Sequence, residues 1–321
     1  MANPFIALLT FLGRNGSRAV AISLFAGMAV PPLSALVKPL LPAAVFALLM
    51  LAMIRIETDI FHSLMRKPLR LVLIALWLMA GMPAVVSLAV LAAGLPESKP
   101  DLALALVLAA SAPPVMAAAI YCFLLKLNGT LAVIGIVLAM LVTPLTAPIP
   151  GWLVMGDKLP ISPQSIGVQL FAFLAGAACL AFLIRRIWGE TRIHASANLI
   201  DGLNVVFLFV FAVAIMDGVL IRMIGEPGLA LALTALSFLI AGVSILLTAL
   251  VFRSLGARDA VSLGLIAGIR NMGLMASTMV AAVPELTWTY FALAQFPIYL
   301  MPQIIRPVLK RIGLAGENPA P

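Results

Sequence analysis

At 321 residues the chain is long enough for one large domain or two ordinary ones, but 64% hydrophobic residues, 10% charged residues and a mean hydropathy of +1.18 exclude a soluble globular fold. A net charge of +8 would point to nucleic acid in a soluble chain. Here the basic residues fall between apolar segments, where they orient membrane spans, so the expected partner is the lipid bilayer and not nucleic acid.

The N-terminal stretch MANPFIALLTFLGRNGSRAVA has a short apolar run whose positive charges follow it, which argues for retention and against a cleaved signal peptide. Helical spans need about 20 predominantly apolar residues. Ten such segments fall at 16 to 36, 39 to 56, 69 to 94, 101 to 126, 129 to 154, 163 to 187, 197 to 221, 227 to 252, 260 to 283 and 288 to 309. Only Lys38 and two prolines separate the first pair, in SALVKPLLPA. With the N-terminus inside, Arg14, Arg18, Arg55, Arg66, Lys67, Arg70, Lys126, Arg185, Arg186, Arg192, Arg253, Arg258, Arg306, Lys310 and Arg311 are cytoplasmic. Lys38, Lys99, Lys158 and Arg222 fall outside, and Arg270 lies within the ninth span. Fifteen against four favours both termini in the cytoplasm, and a bacterial inner membrane is the expected location. Cys122 and Cys179 lie in apolar runs and are read as core residues.

Five spans in each half would place the second half upside down relative to the first. Repeat one then occupies 16 to 154 (16 to 187 takes in the start of repeat two), and repeat two occupies 163 to 309 within one membrane unit, 1 to 321. Spans four and nine hold equivalent places, and each is weakest at its centre. Span four carries Pro113 and Pro114; span nine carries Gly268, Arg270, Asn271 and Gly273. Proline removes a backbone donor, and glycine eases departure from helical geometry. Unwound backbone at membrane depth is tolerated only against protein or a wet cavity. An isolated membrane proline is often a kink without a role. Two interrupted helices at matching positions point to a transporter core whose substrate site lies where they cross.

The stretches SAPPVMAAAIYCFLLKLNGTLAVIGIVLAMLVTPLTAPI (111 to 149), GIRNMGLMA (268 to 276), FPIYLMPQIIRPVL (296 to 309) and LWLMAGMPAVVSLA (76 to 89) resemble spans four, five, nine, ten and three of the bile acid:sodium symporter family. The resemblance implies a panel domain of spans one, two, six and seven, and a core domain of spans three, four, five, eight, nine and ten. Spans four and nine would cross in that core near two sodium sites. It implies organic anion substrates: bile acids and steroid sulfates, or small carboxylates such as pyruvate and pantoate. The chain departs from the family's pattern at the ion ligands. Ala118 and Ala119 stand where the family has a Ser-Asn pair, Ala132 and Ile136 where it has hydroxyls, and Leu78 where it has a Gln. Ile266 and Arg270 stand where it has a Glu and a Gln. Sodium needs several oxygen ligands, so both sites are expected to be lost, and Arg270 could serve as a tethered replacement for the ion.

A charge at the bilayer centre costs about 3 kcal/mol or more and should face the bundle interior or water, with a partner. Two readings of Arg270 stand. Its planar fork, beside the amide of Asn271, suits a carboxylate or sulfate of the substrate. Alternatively it bonds the free carbonyls of the broken fourth span, or an internal acid, and touches no ligand. Asp201 and Asp217 lie on span seven, about 24 Å apart along its axis, one near each membrane face. They are candidates for proton coupling, or solvated and paired acids. Asp259 and Glu285 read as interface residues. Pro113, Pro114, Arg270, Asn271, Tyr121, Ser277, Thr278, Gln295 and Tyr299 form the expected cavity, with Thr143 nearby, although each polar group has an ordinary explanation as an interhelical hydrogen bond. Trp152, Trp188 and Trp288 fall at span ends as an interfacial belt would. His62 and His194 lie outside the spans and form no metal cluster, so no cofactor or metal is expected.

The leading expectation is a secondary transporter of a small organic anion, working by alternating access without the family's usual sodium pair. Its alternatives are a non-transporting receptor or sensor that keeps the fold, and a sodium-coupled symporter with relocated ion sites. An intramembrane enzyme would need paired acids, a Ser/Lys or Ser/His arrangement or a metal cluster at membrane depth, and none is legible in the spans.

Overall fold

The computed structural model describes residues 31–56, 68–280 and 282–314. Among these residues the secondary structure is helical, apart from one isolated β-bridge. Six helical runs are long and apolar enough to cross a membrane: Pro31–Ile54, Pro68–Ala92, Gly129–Thr146, Pro163–Ala195, Ala197–Gly225 and Pro227–Val251. Large apolar side chains such as Leu145, Phe171 and Leu231 stand exposed along them, which is the surface that lipid covers in a multi-pass membrane protein.

In chain order the helices are α1 (Pro31–Val37), α2 (Leu41–Ile54), α3 (Pro68–Leu76), α4 (Met82–Ala92), α5 (Pro100–Ser111) and α6 (Ala117–Leu124). Then follow α7 (Gly129–Thr146), α8 (Pro148–Met155), α9 (Pro163–Ala195), α10 (Ala197–Ile215) and α11 (Val219–Gly225). The last are α12 (Pro227–Val251), α13 (Ala257–Gly268), α14 (Met272–Thr278), α15 (Glu285–Leu293) and α16 (Gln295–Arg311). Six of them open on a proline, whose missing N–H falls where the first turn has no helical acceptor to offer.

Most of the expected first span (16 to 36) lies outside the described residues, as do Arg14, Arg18, His62, Arg66 and Lys67. The divide at Lys38 is a single 3-10 turn, Lys38–Leu40. Span three keeps its expected limits but contains a π-helical segment, Trp77–Gly81, between α3 and α4. Spans four and nine are each broken, into α5 and α6 and into α13 and α14. Span six reaches Ala195 because a short helical turn follows Gly189, whose φ of 73° ends the regular helix.

α2 packs against α9 and α10, while α13 packs against α12 and α7 and α5 against α4 and α15. The α12 and α13 pair is close because Gly264 and Gly268 present no side chain. A Cβ on Gly264 would lie 2.5 Å from the Ile245 carbonyl oxygen, and one on Gly268 would lie 2.7 Å from that of Ala241. Small residues four apart are the usual means of close helix approach in membranes.

Candidate functional site

α5 ends at Ser111, and residues 112–116 cross the molecule without helical pairing before α6 begins. α13 ends at Gly268, and α14 begins at Met272. At the crossing the two segments run antiparallel: Val115 N–H donates to the Ile269 carbonyl at 3.0 Å, and Asn271 N–H donates to the Pro113 carbonyl at 2.7 Å. Pro114 and Arg270 form the bridge between them. The bonds come from the flanking residues, so Pro114 occupies the position that needs no N–H. Unwound backbone is thus satisfied within the protein, as burial at membrane depth requires.

Arg270 is 5% exposed. Its Nε donates to the Ala267 carbonyl at 2.7 Å, and its Nη1 donates to the Ala112 carbonyl at 3.0 Å and to the Leu78 carbonyl at 2.9 Å. Two of these acceptors lie at the C-terminal ends of broken half-helices, where the dipole favours a cation. The third acceptor has a cause in span three. Met82 N–H bonds to the Trp77 carbonyl in the π-helical pattern, and residue 83 is proline, so no helical N–H is left for the Leu78 carbonyl. Arg270 supplies that donor. Gly81 makes the distortion possible, because a Cβ there would lie 2.6 Å from the Trp77 ring, which is held by a 2.9 Å hydrogen bond from its Nε1 to Thr248 Oγ1.

Nη2 of Arg270 makes no hydrogen bond to the described residues and is not sealed from the adjoining space. Arg270 lines a cavity of about 20 Å³ together with Ser237, Ser244, Tyr290, Met82 and Gly268. That is room for about one water molecule.

Of the expected cavity residues, the structure brings Arg270 to this space, beside the helix-break residue Gly268, with Pro113 and Pro114 forming the backbone of the crossing. Asn271 does not reach outward: its Oδ1 accepts from Leu274 N–H at 3.0 Å and caps α14. Ser277, Thr278 and Thr143 donate to carbonyls of their own helices, three or four residues back, and Gln295 Nε2, at the start of α16, donates to the Phe291 carbonyl of α15. Tyr121 and Tyr299 pack half-buried against the core and do not line the cavity. One assigned helix-break role is corrected. Gly273 sits inside α14, where a Cβ would meet the Phe211 ring at 2.5 Å, so its cause is packing. Gly268 does end α13 at the break, and the close pass beneath α12 also requires it to lack a side chain. The sequence did not mark the Leu78 carbonyl as an acceptor for Arg270, nor Ser244 and Tyr290 as cavity residues; Pro83 was the signal for the first.

The two candidate proton-coupling acids are ion-paired. Arg55 binds Asp201 in a two-point contact at 2.5 and 3.1 Å, and Lys38 lies 2.9 Å from Asp217. Asp259 accepts from Arg70 at 2.5 Å and from Asn128 Nδ2 at 2.8 Å, while Glu285 pairs with Arg222. Trp152 and Trp188 are exposed as a belt requires, but Trp288 is buried beneath Lys38, whose Nζ stands 4.4 Å from the ring centroid. Cys122 is buried, whereas Cys179 is exposed on α9 and is not a core residue.

The positions where sodium ligands were expected to be lost carry alkyl groups in a packed layer. Ala118, Ala119, Ala132, Ile136, Leu78 and Ile266 are all buried, and Ile266, Ile74 and Leu78 close around Gly135. No protein-family model matches the chain, and no curated protein matches it.

Proposed function

We propose that the chain is a secondary transporter of a small organic anion, working by alternating access, and a divergent relative of the bile acid:sodium symporters. The observation that carries this reading is the antiparallel crossing of two broken helices, locked by a buried arginine. A structural protein has no need of two half-unwound spans at one depth; a transporter core uses them to place half-helix ends around a cargo.

The ten-span, inverted arrangement draws support from paired lengths. The first halves of the two broken spans, α5 and α13, have 12 residues each, their second halves have 8 and 7, and the spans before them have 25 each. Ion pairs support the alternation of the spans, though not which face is cytoplasmic. Lys38 with Asp217, Lys158 with Glu97, and Arg222 with Glu285 each join two residues assigned outside. Arg55 with Asp201, Arg70 with Asp259, and Arg185 with Glu190 each join two assigned inside. An error of one span would have set partners on opposite faces. Within this reading α2, α9 and α10 belong to the panel, the crossing belongs to the core, and both termini are cytoplasmic in an inner membrane.

Arg270 acts here as the fixed cation of the crossing, occupying the electrostatic role of a coupling ion that is never released. The cavity beside it is far smaller than an organic anion, so the conformer is closed at the crossing, and movement of core against panel must open the path. The test is uptake of labelled carboxylates and sulfonates into proteoliposomes with and without a sodium gradient. Saturable uptake independent of sodium is expected. Uptake of none of them would sink the transport reading in favour of a sensor, and strict sodium dependence would show relocated ion sites.

A further inference from the structure

Among the described residues, Arg270 is a formal cation without a formal anion. All six ion pairs among the described residues use other cations, and no carboxylate stands among its hydrogen-bond partners. Carbonyl dipoles carry partial charge only, so three of them offset part of the cost of burying a guanidinium. The unbonded Nη2 belongs to a residue that lines the cavity of about 20 Å³. Ser244 and Tyr290, 5% and 1% exposed, line the same cavity, and neither hydroxyl has a hydrogen-bond partner among the described residues. The third hydroxyl there, on Ser237, is occupied by the Thr234 carbonyl at 2.7 Å. The other walls are apolar, including Met82, Ala109, Ala241 and Pro297.

One positive charge, two free hydroxyl donors and no acid thus surround a space with room for a single small particle. Water would fit but would leave the charge uncompensated. A carboxylate with a carbon skeleton exceeds the cavity's volume of about 20 Å³. We propose that this cavity binds a small inorganic monoanion of the halide class, with chloride as the resident ion, accepting from Arg270 Nη2 and from the hydroxyls of Ser244 and Tyr290. The ion is the counter-charge that keeps Arg270 ionised and the crossing intact. This proposal does not depend on transport: it concerns the resting charge balance of the crossing, whatever the cargo.

The test is the melting temperature of the purified full chain in sodium chloride, sodium bromide, sodium formate and sodium gluconate at equal ionic strength. A ligand that binds the folded state raises that temperature saturably. Chloride and bromide are expected to raise it by a few degrees over gluconate. Ser244→Ala, which leaves the three carbonyl bonds of Arg270 in place, is expected to raise the chloride midpoint about tenfold, the loss of one hydrogen bond to a charge. Ser244→Leu fills the cavity and is expected to abolish the response. Absence of any halide-specific rise overturns the proposal, as does an undiminished rise in Ser244→Leu or a rise with formate alone. A bromide anomalous peak within hydrogen-bond distance of Nη2 would locate the ion directly, and a peak only elsewhere would count against the site. Uptake assays are read separately, so failure of the halide site and failure of the transport reading remain distinct.

Discussion

Arg270 and Asn271 are adjacent, yet their structural roles differ enough to be separated by substitution. Arg270→Gln removes the donors of the Leu78 and Ala112 carbonyls, both buried. Each unsatisfied buried group costs about 1–3 kcal/mol, so a loss of about 3 kcal/mol is expected. Arg270→Lys should recover only part of it, because an ammonium lacks the fork that reaches carbonyls on three segments. Chemical or thermal unfolding in detergent measures both, and a Lys variant as stable as the native chain would refute the clip. Asn271→Ala should cost about 1 kcal/mol through the lost cap of α14, whereas Asn271→Asp keeps the acceptor and should restore stability. Any change in anion binding by the Asp variant would then report ligand contact and not folding. At this scale the sequence was partly legible. A lone charge in an apolar run marked Arg270, but its acceptors are backbone carbonyls, which no residue type announces. Only Pro83, by leaving the Leu78 carbonyl without a helical donor, marked one of them.

The elements were the most legible level. Apolar length, the prolines at helix starts and the interruptions at Pro113 to Pro114 and Gly268 to Asn271 are local signals, and local signals fix where a helix begins and stops. What they missed were features set by a neighbouring helix. Gly273 read as a flexible break, and the packing role of Gly268 went unread, because glycine is the same letter whether it serves backbone freedom or close packing. The neighbours that require them, the Phe211 ring and the Ala241 carbonyl, lie more than 20 residues away in sequence. The α12 and α13 contact carries a direct test. Gly264→Ala would place a methyl 2.5 Å from the Ile245 carbonyl oxygen, which backbone cannot yield cheaply. A cost of about 1–3 kcal/mol is expected from such overpacking. Gly228→Ala, at the start of α12 with nothing within 4 Å, serves as its control and should be neutral or stabilising by up to about 1 kcal/mol. Equal melting temperatures for the two variants would mean that the close pass is not a stability determinant.

For the whole molecule, orientation rests on charge asymmetry, and accessibility measures it. In a background with Cys122 and Cys179 replaced by alanine, Glu97→Cys should react with an impermeant maleimide on intact cells, and Glu190→Cys only after permeabilisation. The opposite result would invert the topology. Charge pairs also differ in what they join. On the face assigned inside, Arg55 and Asp201 link α2 to α10, and Arg70, Asp259 and Asn128 link α3, α13 and α7. On the opposite face Lys38 bonds Asp217 and stands over the Trp288 ring of α15. Under the proposed alternating access, with α10 in the panel and α15 in the core, that contact would be a latch between the two bodies. Lys38→Met removes a partly exposed ion pair and a cation–π contact, together worth about 1–2 kcal/mol. A shift of that size changes the open to closed ratio about five- to thirtyfold. The indole of Trp288, 5% exposed in this conformer, reports it. With Trp152 and Trp188 replaced by phenylalanine, Trp77 remains as an internal reference, hydrogen-bonded to Thr248. Acrylamide quenching of Trp288 should then rise in Lys38→Met relative to Lys38. Unchanged quenching would mean that the contact closes no path, and that the two bodies part elsewhere.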